Sequence, residues 1–86
     1  MFRYSVCTVP DETLFYRQCL ALEKNIPGLK RGKLLNDVDG SLVQLFMKDG
    51  KKVSVHNSEY IGALYVESEI DLATYFPNAK SDAFPE

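Results

Sequence analysis

The sequence predicts an α+β fold of two layers, in which one long and one short helix lie against a mainly antiparallel sheet of four or five strands. Two patterns predict this class. The turn-forming pair Asp49-Gly50 separates two β-prone runs, LVQLFMK and KKVSVHN, and such a pair is the strongest short-range signal of a β-hairpin. Residues 2–26 carry a period-two pattern and then one amphipathic stripe, which is typical of a strand that leads into a helix. The predicted order is β-α-β-β-β-β-α.

The first strand and the long helix are both predicted near the N-terminus. The strand alternates over residues 2–9 and ends at the proline that follows. Asp11 and Glu12 place negative charge in the first helical turn, where it complements the helix dipole. The apolar stripe of this helix consists of Leu14, Phe15, Cys19, Leu22 and Ile26. The helix should end near Lys24, because Pro27-Gly28 cannot continue it.

A two-residue turn fixes the register of the predicted hairpin, so that Phe46 faces Val53. One face then carries four apolar residues and is expected to be core. These residues are Leu42, Phe46, Val53 and Val55. The other face carries Val43, Leu45 and Met47 on one strand, opposite His56, Ser54 and Lys52 on its partner. Because half of this second face is also apolar, we expect another element or a binding partner to cover it.

The remaining elements are predicted from turn and capping residues. The Lys-rich segment 30–33 is interpreted as an exposed connection, and residues 33–35 as a short strand before a turn at Asp39-Gly40. Residues 60–67 are predicted to form a further strand, with a helix as the alternative because Gly62 weakens a strand. The pair Ser68 and Asp71 resembles a capping box and predicts the short second helix. That helix would carry Ile70, Leu72, Ala73 and Phe76.

Size and composition indicate one small domain. The 86 residues are 45% hydrophobic and 26% charged, which is ordinary for a globular protein. Residues 1–76 are predicted to form the domain and residues 77–86 a flexible C-terminal tail. No targeting leader or membrane span is evident, so a cytoplasmic location is predicted. Cys7 and Cys19 are predicted to be free thiols, and a disulfide between them is the alternative in an oxidising compartment.

The sequence contains no motif for catalysis, for a cofactor or for a metal, and no such site is predicted. His56 is the only histidine, and its expected cross-strand neighbour is Val43 rather than a second acid-base group. A calcium-binding loop around residues 37–40 is rejected, because Leu35 and Phe46 would occupy its first and twelfth positions, where carboxylate ligands are required. The acidic pair in this segment is explained as turn chemistry. The glycines match no phosphate-binding pattern.

The sequence therefore predicts a small non-enzymatic module that binds a protein partner, or a second copy of itself, through a sheet face or an open edge. Two helices are too few to cover both faces of such a sheet, so some apolar area should remain outside. Aromatic residues are enriched where proteins meet, and five tyrosines are available. The predicted binding residues are Val43, Leu45, Met47, Lys52, His56, Ile61 and Tyr65.

Two alternatives remain open. Residues 24–52 hold seven basic and three acidic residues, whereas residues 53–86 hold six acidic residues and one lysine. A nucleic-acid-binding regulator would use this basic middle segment to contact phosphate groups. Its contact residues would be Lys30, Arg31, Lys33, Lys48, Lys51 and Lys52. The second alternative is a small nuclease-type enzyme centred on His56, with Ser54 and Lys52 on the same face.

Overall fold

A computed structural model describes residues 2–75 of the protein and confirms the predicted α+β class. Five strands and one α-helix are followed by a short 3-10 helix. They are β1 (Phe2–Cys7), α1 (Glu12–Asn25), β2 (Lys30–Asn36), β3 (Leu42–Lys48), β4 (Lys51–Ser58), β5 (Ala63–Ser68) and the 3-10 helix Leu72–Thr74. The strands form one antiparallel sheet in the order β1-β5-β4-β3-β2. The predicted tail, residues 77–86, lies outside the described residues, as does Phe76.

The central hairpin has the predicted turn and the predicted register. Asp49 and Gly50 have φ angles of 51° and 79°, and a type I′ turn requires positive φ at both of its central residues. Phe46 pairs with Val53 and Lys48 with Lys51. Because side chains alternate along a strand, this register decides which residues of β3 and β4 meet the helix.

The core lies between α1 and one face of the sheet, which we call the covered face. Helix α1 begins at its N-cap, Asp11, whose carboxylate accepts a hydrogen bond from the backbone N–H of Leu14. The predicted stripe of the helix is confirmed, since Phe15, Cys19 and Leu22 are fully buried. From the sheet, the core takes Tyr4, Leu42, Phe46, Val53, Val55, Leu64 and Val66.

Four polar residues are also buried, namely Gln18, Gln44, Asn57 and Ser68, and the burial of Gln18 in the helix stripe was not predicted. Gln18 of α1 is buried, and among the described residues neither its side-chain nitrogen nor its oxygen has a hydrogen-bond partner. Burying an unpaired amide costs free energy, because its hydrogen bonds to water are lost without replacement. Among the described residues, Gln18 is therefore the one buried side chain whose polar atoms lack a partner.

Both edge strands of the sheet are irregular. In β2 the register shifts between Arg31 and Leu34, so one extra residue bulges outward opposite β3. The side-chain nitrogen of Gln44 fills this bulge and donates to the carbonyls of Gly32, Lys33 and Leu45 at 2.9, 3.2 and 3.0 Å. Strand β1 has a similar shift between Ser5 and Cys7. Bulges at edges interrupt the ladder that another strand would need for pairing.

Three sequence-based predictions about elements need correction. Segment 30–33 is not a connection but the first part of β2, which is held to β3 by backbone pairing. Strand β5 begins at Ala63, because Gly62, with φ 77°, closes a turn before it. The second helix is only one 3-10 turn, and its N-cap is Asp71 rather than Ser68, which ends β5.

Candidate interaction face

The candidate functional site is the face of the sheet opposite α1, which we call the open face. No element within residues 2–75 packs over it. Its cross-strand rows follow from the register. One row reads Leu35, Val43, His56, Tyr65 and Ser5, from β2 across to β1. The neighbouring row reads Leu45, Ser54, Glu67 and Arg3.

The part of the open face formed by β2 and β3 is apolar. Leu45 and Met47 lie on β3, an inner strand of the sheet, yet they remain 37% and 41% exposed. Leu35 on the neighbouring strand is 47% exposed, and Val43 is half-buried. We call these four residues the apolar strip. An exposed group of large aliphatic side chains on adjacent strands is a feature of binding surfaces.

A shallow depression of about 360 Å³ lies beside the apolar strip. Leu45 and Met47 form part of its floor, and Ser54, His56 and Glu67 form its polar side. Gly32 lies at its rim, where a Cβ atom would come within 3.2 Å of the Leu45 carbonyl oxygen. The missing side chain at this position therefore lets the edge strand approach β3 closely.

The part of the open face formed by β4, β5 and β1 is polar and internally bonded. His56 Nε2 lies 2.8 Å from Ser54 Oγ and 3.4 Å from Glu67 Oε1. The Arg3 guanidinium donates to Glu67 Oε2 at 3.0 Å and lies over the Tyr65 ring, 4.6 Å from its centroid. The ring of His56 stacks on Tyr65 at 4.7 Å. We call these five residues the polar network.

The protonation of His56 is set by its place in this network. Burial lowers the pKa of His56 below its ordinary value of 6.5, and the Arg3 charge lowers it further, while the Glu67 carboxylate acts in the opposite direction. Loss of hydration disfavours the imidazolium form more than one carboxylate favours it. The ring is therefore neutral at neutral pH.

The contacts of His56 differ from those of a Ser-His-acid catalytic group. In such a group the carboxylate holds Nδ1, so that Nε2 is free to take the proton of the serine. Here Ser54 and Glu67 both approach Nε2. This one nitrogen either accepts from Ser54 or donates to Glu67, and the carboxylate does not orient the ring for proton abstraction.

The structure brings together six of the seven residues predicted to bind a protein. Val43, Leu45, Met47, Lys52, His56 and Tyr65 lie on the open face. Ile61 lies outside the strands, so the sheet register does not place it on this face. Ile61 precedes β5 in the turn closed by Gly62, and its N–H donates to Ser58 Oγ. The period-two count failed there because the turn extends further than the sequence indicated.

The predicted nucleic-acid residues do not gather on one side. Arg31 pairs with Glu23 of α1 at 2.6 Å, next to the covered face. Lys48 donates to the Pro27 carbonyl and lies near the Tyr75 ring, and Lys51 is at the hairpin tip. Only Lys30, Lys33 and Lys52 lie around the open face, by register or as lining of the depression.

Four residues of the open face were not predicted, namely Arg3, Ser5, Leu35 and Glu67. Arg3 and Glu67 are 64 residues apart in sequence, and only the pairing of β1 with β5 brings them together. Leu35 faces the same side as Val43 because of the bulge in β2. No local pattern indicates either fact. The one sequence signal that could have helped to find Leu35 is the turn at Asp37–Gly40, since this turn places β2 beside β3.

Comparison of the chain with protein-family models, with curated proteins and with solved structures found no match. Within residues 2–75, no helix has the length and apolar character that crossing a membrane requires. In the same range, no three His, Cys, Asp or Glu side chains are grouped so that they could hold a metal ion.

Proposed function

We propose that this protein is a non-enzymatic binding module whose open face receives a protein partner. The observation that carries the proposal is the exposure of Leu45 and Met47, at 37% and 41%, on an inner strand of the sheet. On the other side of the same strand, Phe46 is fully buried in the core, which also contains Phe15 and Leu22 of α1. Covering the apolar strip would remove its aliphatic area from water, which is the main favourable contribution to protein association.

The edges of the sheet support binding by the face rather than by strand addition. A partner strand would have to pair with β1 or β2, and both carry a bulge. Gln44 also uses the carbonyls of Gly32 and Lys33 near that edge. The open face has no such obstruction, and its side chains stand outward from the sheet.

The polar network supports a binding role over a catalytic one. Glu67 and Arg3 hold each other at 3.0 Å, and His56 is stacked on Tyr65. Such a network keeps its side chains in fixed positions beside the apolar strip. A polar rim of ordered residues around an apolar centre is the ordinary composition of an interface.

We place this binding activity in the cytoplasm. Both cysteines are free thiols, with Cys19 buried and Cys7 partly so. Burial raises the pKa of Cys19 to about 11, so this thiol stays protonated and unreactive. Free thiols are the usual state in a reducing compartment.

The test compares one charge placed on the open face with one placed elsewhere. Leu45→Glu puts a carboxylate in the apolar strip, and Leu20→Glu, on the exposed side of α1, is the matched control. Each variant is used as bait in an extract of the source cells, beside the unaltered protein. We expect one protein to be captured by the unaltered bait and the Leu20 variant, and to be lost with the Leu45 variant.

A stability measurement accompanies this experiment. The urea midpoint of Leu45→Glu should stay close to that of Leu20→Glu, because neither side chain is buried. Equal capture by all three baits would contradict the proposal. A Leu45→Glu midpoint as low as that of a core variant would also contradict it, since Leu45 would then belong to the core.

A further inference from the structure

We infer that the partner segment is an acidic amphipathic helix that lies along the apolar strip. The inference rests on the proposed function and adds the chemistry of the partner to it. Three observations carry it: the charges around the strip, the length of the strip, and the way in which the same sheet is covered on its other side.

The charge around the Leu45–Met47 end of the apolar strip is positive. Lys33 and Lys52 line the depression, and Lys30 pairs with Met47 at the end of the strip. Among residues 2–75, none of the three ammonium groups is within 4 Å of a carboxylate. A partner bearing carboxylates beside its apolar side chains would complement these cations.

Two acidic residues lie near the Leu45–Met47 end of the strip, and both are already engaged. Glu67 bonds Arg3 and contacts His56 at 3.0 and 3.4 Å. Glu69 accepts a hydrogen bond from the backbone N–H of Lys52 at 2.6 Å. The lysines are therefore free to pair with a partner at the Leu45–Met47 end of the strip. At the Val43 end the surface is acidic instead, because Asp37 and Asp39 line it.

The dimensions of the strip suit a short helix. From Val43 to Met47 the strand advances about 13 Å at ~3.3 Å per residue, which equals roughly nine residues of α-helix at 1.5 Å each. On the covered face, the same sheet is already packed against a helix with one apolar stripe, α1. A helix on each face of a sheet is a common layer arrangement. The bulged edges disfavour an added strand instead.

A second copy of the chain is the other protein occupant, and the experiment must separate it from a helix. A twofold axis can set the lysines of one copy against Asp37 and Asp39 of the other. Nucleic acid is less suited, because aliphatic side chains occupy the centre of the face and Arg31 and Lys48 are held near the helix.

The experiment selects helices from a display library against the whole protein. The peptides have about 14 residues, roughly four helical turns, with one fixed leucine stripe and random residues at all other positions. We expect the selected sequences to be rich in Asp and Glu next to the stripe. Their binding should be lost with the Leu45→Glu protein and kept with the Leu20→Glu control.

Charge reversal then tests the lysines directly. For a selected peptide labelled with a fluorophore, the double variant Lys33→Glu, Lys52→Glu should weaken binding about tenfold or more, and the loss should shrink at high salt. The matched control is Lys24→Glu, an exposed charge in the last turn of α1, which should change affinity little.

Each other outcome points to a different conclusion. Selection of neutral or basic helices that still depend on Leu45 would overturn the acidic partner and leave the proposed function intact. Recovery of no helix would overturn the inference; a concentration-dependent dimer in light scattering would then identify the second copy as the occupant. Salt-sensitive binding of a single-stranded RNA probe, lost in the double lysine variant, would overturn both proposals in favour of nucleic acid.

Discussion

The two faces of the sheet are built from the same strands and differ mainly in what lies over them. Phe46 is 1% exposed, whereas its neighbours Leu45 and Met47 are 37% and 41% exposed. All three are large and apolar, and consecutive side chains of a strand point to opposite faces. The difference shows that an apolar residue is buried only where a second layer is available. In the described residues, α1 supplies that layer for one face alone.

The sharpest test of this comparison is a pair of neighbouring truncations. Phe46→Ala should lower the free energy of unfolding by about 3–5 kcal/mol, because it leaves a cavity between the sheet and α1. Leu45→Ala should lower it by less than about 1 kcal/mol, since the side chain is already partly in water. Urea denaturation of the two variants measures both values. Similar losses would mean that both faces are covered.

The second test concerns the polar group within the covered face. Gln18→Met replaces an unpaired buried amide by an apolar side chain of similar length. We expect the free energy of unfolding to rise by about 1 kcal/mol, because the cost of desolvating the amide disappears. Thr13→Met, at an exposed position of the same helix, is the control for helix propensity. A decrease in stability for Gln18→Met alone would show that the amide is satisfied.

The smallest effect is expected from pH, on the open face. Because the pKa of His56 is lowered in the folded state, the unfolded chain binds more protons between that lowered pKa and 6.5. Stability should therefore rise with pH across this interval and level off above it. His56→Gln should remove this component of the pH dependence. In an NMR titration of the ring, Glu67→Gln should lower the pKa of His56 further; an increase would contradict the assigned contacts.

The hairpin was predictable because it is local. The pair Asp49-Gly50 indicates the turn type, and the turn type fixes the register of the hairpin. The register then assigns every residue of β3 and β4 to one face of the sheet. The alternation of side chains along β3 likewise predicted that Val43, Leu45 and Met47, the β3 members of the apolar strip, lie on the face opposite the core. The helix stripe was also predictable, apart from Gln18, because polar residues carry no sign that they will be buried.

Other predictions were wrong or incomplete for two reasons. Some features depend on contacts between residues that are distant in sequence, and others depend on which of two competing local patterns determines the structure. Segment 30–33 contains three basic residues, and only the pairing with β3 and the bonds from Gln44 make it a strand. Ser68 and Asp71 are both residue types that cap helices. Because Ser68 pairs with Phe2 and Val53, it belongs to β5, and Asp71 is left as the N-cap. The polar network could not be predicted because its five residues come from three strands, β1, β4 and β5, that only the sheet brings together.

The strand order has a consequence for how the chain folds during synthesis. Strands β2 to β5 are each neighbours of the next, so they can pair as soon as they leave the ribosome. Strand β1 is made before them, but its only sheet neighbour is β5, and the contact between Arg3 and Glu67 spans 64 residues. Closing so long a loop is entropically costly. We therefore expect β1, although it is made before the other four strands, to be the last of them to join the sheet, where Tyr4 Oη donates to Asp71 and accepts from the N–H of Leu72.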